Sequence, residues 1–181
     1  QEALAMARTV QKQRPREVVG YELEGDIGVT RKKWDDAAAA YRAGLKVVDA
    51  TGLAAKLHAT LQANGKHADA DKFASGWQKD HPKDAAFLSY LGDRAIASKD
   101  YRSAEASFAA VVKLQANNAV AYNNLAWVTA KLNKEGAITY AEKALVLAPG
   151  QPAFMDTLAM LLSEKGDYAK AVELQAKVVS I

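Results

Sequence analysis

A period of about 34 residues runs through the chain and limits what it can become. Three of the four prolines, Pro15, Pro82 and Pro149, are evenly spaced, each two periods from the next. Leucines return at Leu23, Leu57, Leu91, Leu125 and Leu158, in steps of 34, 34, 34 and 33. Small residues return at Ala3, Ala37, Ala70, Ala104, Ala137 and Ala171, in steps of 33 or 34. An aromatic or histidine stands just ahead of four of these alanines, at Trp34, His67, Tyr101 and Tyr168. Three series share one period, which is the mark of a repeat architecture.

Within a period the apolar spacing reads as helix, turn, helix. In residues 85–118, Leu88, Leu91, Gly92 and Ala95 recur at three- and four-residue steps. Ser98-Lys99-Asp100 interrupts the run, and Tyr101, Ala104, Phe108, Val111 and Val112 form a second apolar face before Asn117-Asn118. Each helix should hold about 13 residues and span about 20 Å. Half of the residues are hydrophobic, and many of those are alanine, which favours helix and lets helices approach closely. Gly92, Ala126 and Ala159 on first helices are expected to meet Ala104, Ala137 and Ala171 on second helices. One pair cannot hide its apolar face alone, so neighbouring pairs must stack. Residues 1–14 read as the second helix of a truncated repeat. Five pairs follow, at about 18–50, 51–84, 85–118, 119–151 and 152–181, in one continuous solenoid of eleven helices. The fourth pair is one residue short, near Asn133-Lys134. Pro152 opens a helix, where its missing N–H is harmless.

The layout resembles the tetratricopeptide repeat family. The runs that carry the resemblance are YLGDRAIASKDYRSAEASFAAVV at 90–112, YNNLAW at 122–127, AEKALVLAP at 141–149 and DTLAMLLSEKGDYAKAVE at 156–173. It covers essentially the whole chain and is strongest from residue 85 onward. Earlier, Glu24 and His58 take a slot usually given to Gly or Ala, and Trp77 takes one usually held by Ala. The resemblance implies an all-α fold, a right-handed superhelical α-solenoid whose first helices line a concave groove. It implies a non-catalytic scaffold binding a protein or an extended peptide. The order NNLAW, AEKALVLAP, DTLA, GDY also resembles the C-terminal repeats of tetratricopeptide-repeat lipoproteins in bacterial exopolysaccharide and PEP-CTERM protein-sorting systems. That implies a periplasmic or outer-membrane scaffold, lipid-anchored through a segment upstream of Gln1, with a cytoplasmic location as the alternative.

Chemistry by the chain itself is not expected. The 24 basic and 21 acidic residues are spread evenly, which speaks against a nucleic-acid partner. The short cluster Arg31, Lys32 and Lys33 reads as a helix end or turn. There is no cysteine, hence no disulfide, thiol chemistry or thiolate metal site. No run approaches the roughly 18 apolar residues of a transmembrane helix. No phosphate-binding glycine loop or nucleophile elbow occurs, and Gly65 and Gly166 read as turn residues. His58 and His67 are expected as partly buried packing residues and His81 in a turn, with no metal or cofactor site. Asp35 and Asp36 open a helix, where negative charge suits the helix dipole. Trp34 and Trp77 are expected to pack in the core.

A second face of the first helices remains for a partner. It carries Glu22, Asp26 and Thr30, then a bland floor of Ala55, Ala59 and Ala63. Ser89, Asp93 and Ala97 follow, then Asn123, Trp127 and Lys131, then Asp156, Met160 and Glu164. The expected groove residues are Ser89, Asp93, Asn123, Trp127, Lys131, Asp156 and Met160. Only Asn124 matches the pattern of repeats that clamp a chaperone's C-terminal carboxylate, so that role is not expected. The acidic tint suits an extended peptide of some basic character. A polysaccharide stacked on Trp127 is the alternative. Val172, Val178, Val179 and Ile181 on the last helix lack a polar capping helix, which predicts self-association through a solenoid end.

Overall fold

The computed structural model describes residues 2–179; Gln1, Ser180 and Ile181 lie outside the described residues. Eleven helices and no strand occur among them. They are α1 (Glu2–Gln13), α2 (Val19–Thr30), α3 (Trp34–Leu45), α4 (Thr51–Ala63), α5 (His67–Asp80) and α6 (Ala85–Ala97). After these come α7 (Tyr101–Leu114), α8 (Ala119–Lys131), α9 (Ala137–Leu147), α10 (Pro152–Glu164) and α11 (Tyr168–Val179). The chain divides into two compact units, residues 1–87 and 88–181. In the first, α1 to α5 pack in sequence, each of α1 to α4 on its successor; in the second, each of α7 to α10 packs on its successor, and α8 also touches α10.

The turn inside each helix pair uses one backbone device five times. Its second residue lies in the left-handed region: Lys32 at φ 56°, Gly65 at 71°, Lys99 at 62°, Asn133 at 53° and Gly166 at 85°. The following N–H donates five positions back, from Lys33 to Gly28, Lys66 to Leu61, Asp100 to Ala95, Lys134 to Thr129 and Asp167 to Leu162. This Schellman arrangement satisfies carbonyls that a helix end would leave bare. The cluster Arg31, Lys32 and Lys33 is therefore a turn. Asp100 adds a cap to α7, its carboxylate accepting from the Ser103 N–H at 3.1 Å, and Asn118 caps α8 from Ala121 at 2.9 Å.

The small residues sit where helices approach. Ala37, Ala70, Ala104 and Ala126 are fully buried, and Ala137, Ala159 and Ala171 nearly so. A Cβ on Gly92 would stand 2.7 Å from the Phe108 ring, and one on Gly25 would collide with the Tyr41 ring. Two residues of the periodic series depart from it. Leu23 is 42% exposed, because in α2 the close approach is made by Gly25 and Gly28, two and five positions on. The small slot of α2 is thus held by Gly25, two periods before Gly92, and not by Glu24. Ala3 is exposed, while Ala7, one turn on in α1, is buried. The residue missing from the fourth pair falls after the turn, at Glu135-Gly136, where Gly136 takes φ 94° and α9 starts two residues late. No aromatic stands there, and a cavity of about 580 Å³ opens beside Ile138 and Leu161.

In the first unit Trp77 is buried, its ring centroid 5.9 Å from that of Phe87 and 4.0 Å from that of His81. Trp34 is only half-buried. His58 is buried and meets Phe87 edge-on at 6.4 Å. His67 is exposed, contrary to the packing role expected of it, because it is the first residue of α5 and turns to Gln62.

Candidate functional site

The expected groove residues all lie in the second unit, on the first helices α6, α8 and α10. Four-residue spacing stacks Ser89 with Asp93, Asn123 with Trp127 and Lys131, and Asp156 with Met160. Asn123 is half-buried, and its Oδ1 is shut away from solvent with no hydrogen-bond partner. Such an acceptor costs about 1–3 kcal/mol unless something donates to it. One turn on, Trp127 is half-buried, meeting Tyr101 edge-on at 5.6 Å, with the Lys131 Nζ 5.1 Å from its ring centroid. Tyr101 is the first residue of α7, so Trp127 is in part a packing residue against the preceding second helix.

Asp93 is open to solvent and takes no ion pair or hydrogen bond among the described residues. Partial desolvation raises its pKa above the ordinary carboxylate value. Asp156 accepts from the Gln175 Nε2 at 2.9 Å, so it is tied to α11. Met160 packs on the α8–α11 core and lines a cleft of about 700 Å³ with Tyr168, Val172 and Val179 of α11. Asn123, Trp127 and Lys131 thus form one continuous strip on α8, whereas Met160 faces the α11 cleft.

The corresponding face of the first unit is closed by its own side chains. The Asp26 carboxylate accepts from the Tyr41 hydroxyl at 2.6 Å and from the Lys56 Nζ at 2.7 and 2.8 Å. Lys56 also reaches Glu22 at 2.8 Å. Burial and the bond to Asp26 drive the Tyr41 hydroxyl far above its ordinary pKa. Desolvation opposes the charge on Lys56, but its bonds to Asp26 and Glu22 outweigh that and raise its pKa. The alanine floor of α4 is therefore flanked by a lysine that neutralises the acids beside it. Sequence reasoning passes over Lys56; the signal available is its place beside Ala55 and Ala59, one repeat from Glu22 and Asp26.

No family model matches the chain, and no curated protein matches it. Solved structures do. A crystal structure of MamA superposes with a TM-score of 0.69 at 22% identity, covering 90% of each chain. Pseudomonas aeruginosa PilF gives 0.69 at 21% identity, covering 93% of this chain and 78% of that one. Yeast Tom70 gives 0.77 at 13% identity, covering 98% of this chain and 39% of the other. These are tetratricopeptide-repeat proteins. The fold is that of the tetratricopeptide repeat. Superpositions at these low identities show the fold alone and leave the partner to the chain's own side chains.

No group of three or more metal-ligating side chains occurs among the described residues, and no described helix is long and apolar enough to cross a membrane.

Proposed function

We propose that this chain is a non-catalytic scaffold that binds an extended peptide, free or as part of a protein, along the first-helix face of residues 88–181. The supporting observation is the α8 strip. Asn123 offers a desolvated, unanswered acceptor one turn from a half-exposed tryptophan. Turning the Asn123 amide outward lets a peptide backbone N–H answer the acceptor beside the ring, without needing the ring's face. The polysaccharide alternative needs a free tryptophan face, and Lys131 already lies over the Trp127 ring. The peptide reading is therefore the one the geometry favours. Ser89, Asp93 and Asp156 flank the strip, and Met160 extends it towards α11.

Five repeats, at about 18–50, 51–84, 85–118, 119–151 and 152–181, would present this face, with α1 as the second helix of a sixth. The likeness of the NNLAW to GDY runs to envelope lipoprotein repeats supports a partner in a bacterial envelope, exopolysaccharide or protein-sorting assembly. Recovery of the native protein solely from the cytosolic fraction would reject that location.

Panning a random decapeptide display library against the chain tests the site. Selected peptides are expected to lose binding to the Asn123→Ala, Trp127→Ala double variant. Equal binding by a double variant of unchanged helicity rejects the face.

A further inference from the structure

We propose that the second unit's groove takes a cationic side chain, lysine or arginine, from its ligand, held by the Asp93 carboxylate where the first unit supplies a cation of its own. The inference rests on the first-helix face being the binding surface. It comes from comparing two places in the chain that share one register.

Asp93 stands two periods after Asp26, as Gly92 does after Gly25 and Phe108 after Tyr41. The local packing corresponds: the Tyr41 ring covers Gly25, and the Phe108 ring covers Gly92. Around Asp26 the charge is fully answered, by the Tyr41 hydroxyl on α3 and the Lys56 ammonium on α4. Around Asp93 both donors have been replaced. Phe108 has no hydroxyl. The small slot of α4 is His58 and that of α8 is Ala126, so the residue two positions earlier, Lys56 in the one, is Asn124 in the other. Asn124 donates no hydrogen bond to Asp93 among the described residues. Glu22, which shares Lys56 in the first unit, corresponds to Ser89.

The second unit therefore keeps the carboxylate and lacks the cation. Asp93 itself is open to solvent, and partial desolvation raises its pKa. Next along the face, the buried Asn123 Oδ1 also lacks a donor. Two acceptors on successive first helices call for a ligand that brings donors: an ammonium or guanidinium for Asp93 and an N–H for Asn123. A neutral or acidic ligand would leave the Asp93 charge unanswered. In the first unit the ammonium lies 2.7 Å from the carboxylate, which sets the approach expected of the ligand.

The test uses the full chain and acetylated, amidated heptapeptides Gly-Ser-Thr-Xaa-Thr-Ser-Gly, with Xaa lysine, arginine, norleucine or glutamate. Binding is followed by amide chemical-shift titration. The lysine and arginine peptides are expected to bind about tenfold tighter than the norleucine peptide, an effect of one charge-assisted contact, and to lose that margin in Asp93→Asn. Asn124→Lys restores the arrangement of the first unit and is expected to remove the same margin while leaving the chain folded. A ligand-free reading accompanies it: the Asp93 carboxyl should titrate lower in Asn124→Lys than in the wild type. Equal binding of the norleucine and lysine peptides, both lost in Trp127→Ala, would overturn the cation site while sparing the face. An unshifted Asp93 titration in Asn124→Lys would also overturn the cation site. Absence of binding by every peptide would overturn the site and the peptide reading together.

Discussion

Gly25 lies beneath the Tyr41 ring, and Gly76, inside α5, faces open space. One residue type thus serves opposite ends within a single unit. Tyr41 cannot yield, because it is fully buried and its hydroxyl is bound to Asp26. Gly25→Ala should therefore cost about 1–3 kcal/mol through overpacking. Gly76→Ala should add about 0.5–1 kcal/mol, since alanine restricts the unfolded chain and meets nothing in the folded one. Thermal melts of the two variants check both signs; an unchanged midpoint for Gly25→Ala would refute the close approach. The leucine series alone misplaces the register of α2. Counting back from Leu57 by 34 lands on Leu23, whereas the true step is 33. The signal that corrects it is a glycine paired with an aromatic of the next helix, Gly25 with Tyr41 and, at the same separation, Gly92 with Phe108.

Asp84 joins three pieces of the first unit. Its carboxylate accepts from the Trp77 indole N–H at 2.9 Å, the Thr51 hydroxyl at 2.8 Å and the Phe87 N–H at 2.9 Å. Desolvation pushes its pKa up, but these bonds outweigh that and hold it below the ordinary carboxylate value. The stability it contributes is then fully present above the unfolded-state pKa of 3.8 and is lost as pH falls through the lower folded-state value. Acid titration of the wild type should loosen the α4–α5–α6 junction below that range, with a change in tryptophan fluorescence that Asp84→Ala does not show. At neutral pH Asp84→Ala should destabilise by about 2–3 kcal/mol, because it strands the indole N–H. A pH-independent fluorescence signal would refute the role. Helices and turns were legible because period, glycine and capping residues agree in the sequence. The stripe of groove candidates was legible too, since it follows from four-residue spacing on first helices. Hidden were the pairings between side chains on different helices: Lys56 crossing to Asp26, Tyr101 against Trp127 and Gln175 on Asp156. A linear pattern gives the face of a residue and not which neighbour reaches it.

At the scale of the whole molecule, the cleft beside α11 is an apolar opening, with Val172 68% and Val179 86% exposed. In the second unit α8 covers α7 and α10 covers α9; among the described residues no helix covers α11. A polypeptide of residues 1–181, with α11 uncovered, is expected to self-associate at high concentration, and Val172→Glu should restore its monomer in light scattering. A wild-type monomer at millimolar concentration would contradict this. A chain of repeats that each contact only their neighbours also predicts unfolding in more than one step, visible as non-coincident fluorescence and circular-dichroism transitions in urea. The five left-handed turns of one kind carry a last consequence. Lys32 and Lys99 mark equivalent points on one ruler, so cutting out residues 33–99 would splice like onto like, Gly25 then lying opposite Phe108. Gene segments of this kind can gain or shed whole lengths without inventing a new junction, and the spliced chain should still be helical.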